Sequence, residues 1–290
     1  MKNSPLRQQF TDFLTLRAYS PLTVKSYVSA VRKIAARYRR SPDEVTFEEL
    51  RKLLLELCRA GKAPSTLNLI VSAWISFYGE VLGRNVEELK KHVPRAKKKK
   101  VEIRAYSKEE IHRIIYESGL NLKHRTFLST VYHAGLRSHE ACALQITDIQ
   151  SSNAAILVRY GKGKKERYTI LPQRLLEELR DYYQRQRPTK PWIFSSKRCP
   201  DRPITTTTAY RIFRKALERC GLPNRGGLHC LRHSFATHNL QDGMDVARLQ
   251  MLMGHEDLTT TARYLHVLSD APNLCGSPLD SLDSSSNDQD

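Results

Sequence analysis

The chain has 290 residues, enough for one large or two ordinary domains, and 48 Lys and Arg against 30 Asp and Glu give it a formal net charge of +18. A positive surplus of this size indicates a polyanionic partner, with nucleic acid ahead of an acidic membrane surface. No stretch approaches the roughly 18 apolar residues of a membrane span. The N-terminus resembles no signal peptide, and the six cysteines form no C-x-x-C pair. The sequence therefore predicts a cytoplasmic protein with reduced thiols and no membrane partner.

Residues 1–92 are predicted to form a helical domain of four helices, of which the first covers "PLRQQFTDFLTLRAY". The second, "SPLTVKSYVSAVRKIAARY", has Ser20 as N-cap, a proline at its first position and apolar residues at helical spacing. Thr46 and Glu49 form a capping box for a third helix that ends at Gly61. A fourth helix is expected over "APSTLNLIVSAWISFYGEVLG".

Residues 93–106 are predicted to be a basic linker, because they contain a proline and four consecutive lysines and lack apolar periodicity. Such a linker can follow the phosphate backbone of DNA, and the alternative is a solvated surface segment. The lysines expected to contact phosphates are Lys97, Lys98, Lys99 and Lys100.

Residues 107–269 are predicted to form a second, mixed domain that begins at a Ser107–Glu110 capping box. Helices are expected at 107–118, 123–133, 172–186 and 205–220, and further helices cover the histidine-rich and later segments. Two strands, "AAILVRY" and "YTILP", flank a turn rich in Gly and Lys. Residues 270–290 are rich in Ser and Asp and are expected to be an acidic, disordered tail.

The segment "GGLHCLRHSFATHNL" places several histidines and an arginine on one predicted helix, which suits a metal site, a bonded core or an anion site. His229 and His233 have i, i+4 spacing, but Arg232 shares their side of the helix and would repel a dication. Because no cluster of carboxylates stands out either, we expect no metal and no other cofactor. His229 and Arg232 together suit a phosphate, and the alternative is an ordinary surface pair near a helix end.

Three other motifs carry polar residues of the same kind. In "GLRSHE", Arg137 precedes Glu140 by three residues; in "YGKGKKER", Lys162 lies between two glycines in a tight turn. In "LMGHEDLTTTARYLHV", a predicted helix ends at a glycine, His255 follows, and a new helix carries Tyr264. Each motif alone has a simpler explanation as an ion pair, a solvated basic hairpin or a packed amphipathic helix.

Taken in this order and spacing, the four motifs resemble the tyrosine recombinase (phage integrase) family, and most of all its Xer-like and its integron- or transposon-associated members. The resemblance covers residues 107–267 and extends over 4–92. It implies a mainly α-helical fold with a small β-sheet. An N-terminal four-helix, SAM-like core-binding domain and a C-terminal α+β catalytic domain would form a clamp around DNA.

The resemblance implies a site-specific DNA recombinase that needs neither metal nor ATP. Tyr264 would attack a phosphodiester and form a 3′-phosphotyrosyl bond, which conserves the energy of the cut bond for rejoining. His229 would act as general base and Lys162 as general acid. The charge of the transition state would be stabilised by Arg137, Arg232 and His255. Supporting roles fall to Glu140, which would steady Arg137, and to His233.

The resemblance also implies DNA as a partner, a homotetramer on two synapsed sites that is a monomer or dimer in solution, and a second recombinase as a further candidate partner. Most predicted contacts would meet phosphates, which position the duplex without specifying its sequence. For each contact the alternative is a solvated helix face. The predicted contacts are Thr23, Lys25, Arg32, Ser65, Thr66 and Asn68 in the first domain, and Thr207, Tyr210, Arg211 and Arg214 in the second.

The chain departs from the family pattern at its C-terminus. Family members often end in a short apolar helix that docks into a neighbouring protomer, whereas residues 270–290 have few apolar residues and are interrupted by prolines. We therefore expect a shortened exchange segment or another mode of assembly. No arm-binding domain is expected before residue 4, which favours a compact Xer-like or transposon-associated enzyme. The competing functions are a type IB topoisomerase-like nicking-closing enzyme, a non-catalytic DNA-binding accessory factor and a metal-dependent transposase.

Overall fold

The computed structural model describes residues 4–97, 104–159 and 166–254. The chain divides into two compact units, Met1–Val101 and Glu102–Asp290, and the division falls within the segment predicted to be a linker. The predicted tail, residues 270–290, lies outside the described residues. None of the described helices is both long enough and apolar enough to cross a bilayer.

Five α-helices are described in the first unit. Their starts follow the predicted caps: the Ser20 side chain accepts a hydrogen bond from the Thr23 amide, and both halves of the Thr46–Glu49 capping box are present. A π-helical turn, Phe77–Val81, continues the fourth helix. The helices are α1 Pro5–Leu16, α2 Pro21–Tyr38, α3 Phe47–Arg59, α4 Pro64–Ser76 and α5 Val86–His92.

The fifth helix corrects the prediction of four. α5 has seven residues and buries only Leu89, so it lacks the repeated apolar spacing that identifies a helix from sequence. Its start is nevertheless set locally, because the Asn85 side chain accepts a hydrogen bond from the Glu87 amide.

An aromatic cluster fills the core of the first unit. The rings of Phe10 and Phe77 meet edge to face at 5.3 Å, and those of Trp74 and Tyr78 lie 5.0 Å apart. All four side chains are at most 1% exposed. This packing joins α1 to the end of α4 and holds the helical bundle together.

The two ends of the predicted linker are not fully solvated: residues near its start pack into the core of the first unit, and its last residue packs into the core of the second. Val93 is 3% exposed in the core of the first unit, and the Asn68 amide bonds both the N–H and the C=O of Ala96 at 2.9 Å. Tyr106 is fully buried in the core of the second unit. The linker predicted over residues 93–106 is therefore too long at both ends, because composition alone does not show where packing stops.

The second unit contains seven α-helices and three short strands among its described residues. The helices expected at 107–118, 123–133, 172–186 and 205–220 are confirmed, the first of them turning π-helical over Arg113–Glu117. The two-residue strand β1 was not predicted. The elements are α6 Lys108–His112, α7 Leu122–His133, α8 Ser138–Cys142, β1 Ile149–Gln150, β2 Ala155–Val158, β3 Arg167–Ile170, α9 Gln173–Gln186, α10 Thr206–Cys220, α11 His229–Gln241 and α12 Val246–Met253.

The strands form an antiparallel sheet in the order β1-β2-β3, in which Ile156 faces Ile149 on one side and Thr169 on the other. Ile156 is fully buried, and the Thr169 hydroxyl donates to the Ala134 carbonyl at 2.9 Å. The sheet is thereby fastened to the end of α7, close to the start of α8.

α11 is buried on all sides: ten of its 13 residues are buried. A helix in this position brings polar side chains into the core, where each needs a partner. The Ser234 hydroxyl accepts from the Tyr106 amide at 2.9 Å, and His238 Nδ1 lies 2.9 Å from the Tyr132 hydroxyl. α11 also carries Arg232, which is 1% exposed.

Candidate active site

The predicted pair of Arg137 and Glu140 is present at the start of α8. Arg137 is the N-cap residue, its backbone N–H donates to Glu140 Oε2 at 2.8 Å, and its guanidinium donates to Oε1 at 2.9 Å. The Glu140 side chain is 0% exposed and that of Arg137 is 19% exposed. The carboxylate thus caps the helix and holds the guanidinium that precedes it.

Two further arginines reach the same carboxylate. Arg167, the first residue of β3, donates to both Glu140 oxygens at 2.8 Å in a bidentate pair, and Nη1 of Arg232 lies 3.9 Å from Oε2. We call Arg137, Arg167 and Arg232, gathered around Glu140, the guanidinium cluster. Arg167 is not among the predicted site residues, because it ends a basic run that suggests a solvated hairpin and lies 27 residues from Glu140.

The guanidinium cluster also binds the C-terminal end of α12, one carbonyl per arginine. Arg167 Nε donates to the carbonyl of residue 252 at 3.0 Å, Arg232 Nη2 to that of residue 253 at 2.5 Å, and Arg137 Nη2 to that of residue 254 at 3.2 Å. These carbonyls lack partners within the helix and carry its negative partial charge. Three cations therefore fix the end of α12, and His255 is the next residue in the chain.

Two glycines allow this close approach. Gly254 has φ +59°, as the predicted helix end requires, and a Cβ there would lie 2.6 Å from Arg167 Cδ. Gly135 also has φ +59°, and a Cβ there would lie 2.5 Å from the Phe235 ring. Without that Cβ the turn before α8 packs against α11, and the Gly135 carbonyl accepts from Arg232 Nη1 at 2.6 Å.

The charge state of Glu140 follows from these contacts. Burial alone would raise the pKa of Glu140, but hydrogen bonds and charge from Arg167, and then from Arg137, outweigh it and lower the pKa to about 2. The carboxylate is therefore ionised at neutral pH. A buried ion cluster is tolerated when its members are also hydrogen-bonded, as they are here.

The other predicted site residues divide between described and undescribed parts of the chain. His229 is exposed at the first position of α11, while Arg232, three residues later, is buried in the guanidinium cluster. His233 is 8% exposed within α11. The predicted general acid, the second histidine and the nucleophile lie outside the described residues; they are Lys162, His255 and Tyr264.

The described residues contain no group of three His, Cys, Asp or Glu side chains that could hold a metal ion. The Glu140 carboxylate is surrounded by three guanidinium groups. The anions that suit such a cluster are phosphates, since arginine binds their oxygens through paired N–H groups.

In the first unit, some of the predicted DNA contacts line a groove between α2, α3 and α4 with a volume of about 720 Å³. We call this the basic groove, because four cationic side chains line it: Lys25, Lys33, Arg37 and Lys62. Thr66 also lines it, and Ser65 is exposed beside it. Its remaining lining is largely apolar.

The remaining predicted contacts of the first unit have other surroundings. The Thr23 hydroxyl lies 2.8 Å from that of Ser20 at the N-cap of α2, and Arg32 lines a different cavity, next to Phe10. Asn68 is 9% exposed and its amide is held by Ala96, so it is removed from the predicted contacts. This contact could not be predicted from the sequence, because Ala96 lies 28 residues away in the predicted linker.

The predicted contacts of the second unit all lie exposed on α10; they are Thr207, Tyr210, Arg211 and Arg214. Arg214 forms an i, i+4 ion pair with Glu218 at 2.8 Å. Of the predicted linker lysines, Lys97 is described and exposed, whereas Lys98, Lys99 and Lys100 lie outside the described residues.

Comparison with known proteins identifies the family. A model of the phage integrase family matches residues 104–270, and a model of the phage integrase N-terminal SAM-like domain matches residues 6–88. The chain belongs to the phage integrase family of tyrosine recombinases. The predicted fold class, a helical SAM-like domain followed by a catalytic domain with a small sheet, is confirmed.

Curated members of the family are similar over most of this chain. The integrase/recombinase y4qK of Sinorhizobium fredii is 35% identical over 280 residues, which are 96% of this chain and 90% of the relative. Tyrosine recombinase XerA of Pyrococcus horikoshii is 31% identical over 268 residues, 91% of this chain and 90% of the relative. The chain is thus a tyrosine recombinase, an enzyme of site-specific DNA recombination, as the four motifs predicted.

Solved structures share the fold at lower identity. A lambda integrase bound as a dimer to a COC′ core site has a TM-score of 0.70 and 20% identity, covering 89% of this chain and 93% of that one. A XerA recombinase has a TM-score of 0.51 and 24% identity, covering 99% and 100%. This likeness supports the fold independently of the sequence motifs.

Proposed function

We propose that the chain cleaves and rejoins duplex DNA at specific sites through a covalent 3′-phosphotyrosyl bond to Tyr264, passing through a Holliday junction in a synaptic tetramer. The guanidinium cluster is the observation that carries this proposal. Cleavage by a tyrosine passes through a pentacoordinate phosphorane with charge on its non-bridging oxygens, and fixed cations lower the energy of such a state.

Arg137 and Arg232 are the residues that would bind the non-bridging oxygens, with His255 adding a hydrogen bond. Their guanidinium groups are held by Glu140 and by backbone carbonyls, so little reorganisation is needed when charge develops. Removal of one such aimed donor typically costs about 3–4 kcal/mol of transition-state stabilisation.

The proton transfers fall to residues on either side of the phosphate. The Tyr264 oxygen forms a bond to phosphorus while the bond from phosphorus to the 5′-oxygen breaks. A phenol has a pKa near 10 and needs a base, which would be His229 at the exposed start of α11. Lys162 would protonate the leaving 5′-oxygen. The new ester conserves the energy of the cut bond, so a second 5′-hydroxyl reverses the step without ATP.

DNA binding is assigned to two basic surfaces. The basic groove of the first unit combines four cationic side chains with a largely apolar remainder, and the exposed face of α10 carries Arg211 and Arg214. Thr23, Ser65, Thr66, Thr207 and Tyr210 remain proposed contacts, as do Arg32 and the lysines from Lys97 to Lys100. Phosphate contacts of this kind make affinity fall with salt.

The assembly proposed for this chemistry is a homotetramer on two DNA sites, formed from monomers or dimers in solution, with a second recombinase as a candidate partner. The proposed domains are residues 1–92 and 107–269, each extended by the linker end that packs into its core, and the acidic tail 270–290 would contribute a shortened exchange segment or serve another mode of assembly. The proposed location is the cytoplasm.

Covalent trapping tests this function. The full chain is incubated, in EDTA, with a nicked duplex whose cut fragment diffuses away, the site being selected from random duplexes by binding. A protein–DNA adduct on a denaturing gel that disappears in Tyr264→Phe is the expected result. A bound site that yields no adduct contradicts the proposal and leaves an accessory factor or a metal-dependent transposase.

A paired-site substrate then separates recombination from simple nicking and closing. Holliday junctions are expected from a recombinase, whereas supercoil relaxation without junctions indicates a topoisomerase-like enzyme.

A further inference from the structure

Arg167 is absent from the residues that the motifs assign, yet all three of its guanidinium nitrogens donate hydrogen bonds. Its Nη1 and Nη2 donate to the two oxygens of Glu140 at 2.8 Å, and its Nε donates to the carbonyl of Leu252 at 3.0 Å. Its side chain is 11% exposed. The aliphatic part of the side chain packs under Gly254, where a Cβ would collide with it.

These contacts join three elements that carry site residues. Arg167 opens β3, five residues after Lys162 in the chain. Through Glu140 it meets α8, whose N-cap is Arg137. Through Leu252 it meets the end of α12, where the Gly254 carbonyl accepts from Arg137. A planar guanidinium fork fixes the orientation of a carboxylate in a way that a lysine does not.

The Arg137 guanidinium has two described acceptors, of which Arg167 bonds one, Glu140, and packs against the residue that carries the other, Gly254. The Arg137 guanidinium is bound by Glu140 Oε1 and by the Gly254 carbonyl, and both acceptors touch Arg167 or the residues it contacts. Without Arg167, Glu140 has lost its bidentate partner and the end of α12 has lost one of three cations. Both acceptors of Arg137 are then free to shift.

We propose that Arg167 is a positioning residue, which acts through Glu140 and the end of α12 to hold Arg137 where a phosphate oxygen needs it. This inference rests on the proposed function and adds to it a residue that never has to touch DNA. A misplacement of about 1 Å typically costs about 100-fold in rate, so the expected effect is large.

The first experiment compares rates of covalent intermediate formation on the nicked duplex at saturating protein. Arg167→Met is expected to lower the rate constant about 100-fold while binding of the duplex is retained. Arg167→Lys keeps the charge but cannot form the bidentate pair with Glu140, and its rate is expected to stay close to that of Arg167→Met. Absence of an adduct with the wild-type chain overturns the proposed function; a wild-type adduct with an equal rate in Arg167→Met overturns only the role of Arg167.

The chain offers a matched control in Arg225. Its guanidinium forms a bidentate pair with Glu110, another capping-box glutamate, at 2.7 Å, and this pair has no described contact with Arg137 or α12. Arg225→Met is expected to change the rate less than about fivefold. Equal losses in Arg225→Met and Arg167→Met overturn the proposal, because they attribute the effect to general stability.

A double variant tests whether Arg167 acts through Glu140. The variant that combines Arg167→Met with Glu140→Gln is expected to be about as slow as the slower single variant, because both changes release the same guanidinium. Rate losses that multiply would show independent action and overturn the proposal. If Arg167→Met shows no cooperative thermal unfolding, the same cycle is run with Arg167→Lys.

A modified substrate distinguishes an effect on Arg137 from an effect on Lys162, which lies nearby in sequence. A duplex with sulfur at the 5′-bridging position releases a thiolate, which needs no general acid. The rate of Arg167→Met is expected to stay low on this duplex, because the defect lies at the non-bridging oxygens. Restoration of the rate would place the defect at the leaving group and overturn the proposal.

Discussion

The second unit contains two glutamates that close capping boxes, and the two differ in burial and in the number of arginines that contact them. Glu110 and Glu140 are each the third residue of a helix, each closes a capping box, and each accepts a bidentate arginine from elsewhere in the chain. The Arg225–Glu110 pair is 27% and 21% exposed. The Glu140 side chain is 0% exposed, and two additional guanidinium groups reach it.

The surroundings explain the difference. The guanidinium of Arg225 stacks over the Tyr106 ring at 4.7 Å and donates to the Ala105 carbonyl, so this pair fastens the start of the unit to the loop before α11. At Glu140 the three arginines also donate hydrogen bonds to the last carbonyls of α12. Glu110 thus joins two parts of the fold through one arginine, whereas Glu140 joins three guanidinium groups that we propose as part of the phosphate site.

The largest expected effect comes from removing the charge of each glutamate. Glu140→Gln is expected to lower the rate of covalent intermediate formation about 100-fold and the free energy of unfolding by about 3 kcal/mol, because it leaves buried guanidinium groups without their anion. Glu110→Gln is expected to cost about 1 kcal/mol and to leave the rate nearly unchanged. Urea unfolding and the trapping assay measure both, and equal costs would remove the distinction.

Lowering the pH should show how much the ionised Glu140 contributes to the free energy of unfolding. The folded-state pKa of Glu140 is about 2, below the usual value of 4.5, so the ionised form stabilises the fold. This contribution, about 3 kcal/mol, is fully present above pH 4.5 and is lost as the pH falls from 4.5 towards 2. Unfolding free energies between pH 6 and pH 3 should therefore fall less steeply in Glu140→Gln than in the wild type. Parallel curves would refute this assignment.

Two glycines that end helices, Gly254 after α12 and Gly221 after α10, show the same difference between a crowded and an open position. Gly254→Ala adds a methyl group 2.6 Å from Arg167 Cδ at a positive φ, and is expected to cost about 3 kcal/mol together with most of the cleavage rate. Gly221 ends α10 at φ +65° with nothing within 4 Å of its Cβ position. Gly221→Ala is expected to cost only the backbone term, about 1 kcal/mol. Thermal unfolding of the two variants measures the difference.

The smallest expected effect is at the partly exposed pair. Arg225→Lys keeps the charge beside Glu110 and is expected to lower the free energy of unfolding by less than about 1 kcal/mol. Arg167→Lys is expected to cost more, because its side chain is 11% exposed and loses the fork that spans both Glu140 oxygens. Equal shifts of the urea midpoint in Arg225→Lys and Arg167→Lys would show that the difference in burial between the two ion pairs does not affect stability.

The sequence predicted those features that depend on nearby residues. The capping boxes at Thr46 and Ser107, the pair of Arg137 with Glu140, and the glycine that ends α12 are each specified within four residues. Their geometry follows from helix periodicity and from the backbone conformation that glycine tolerates.

Features that depend on contacts between distant residues could not be predicted from the sequence. Arg167 lies in a basic run, and only the pairing of β3 with β2 and the approach of α8 show that it points inward. The Asn68 amide is bonded to Ala96, 28 residues along the chain, which no local pattern predicts. α5 has a single buried side chain, Leu89, and gives no periodic signal.

The fixed end of α12 sets a limit on reach. Tyr264, the proposed nucleophile, follows Gly254 by ten residues, and a residue of extended chain spans at most about 3.6 Å, so a segment of this length reaches at most about 36 Å from Gly254. The guanidinium cluster thus holds one end of the segment from Gly254 to Tyr264, and the number of residues in that segment limits its span. Insertions after Gly254 would lengthen this segment without changing the guanidinium cluster, so the reach of the proposed nucleophile and the charge of the proposed phosphate site could vary independently.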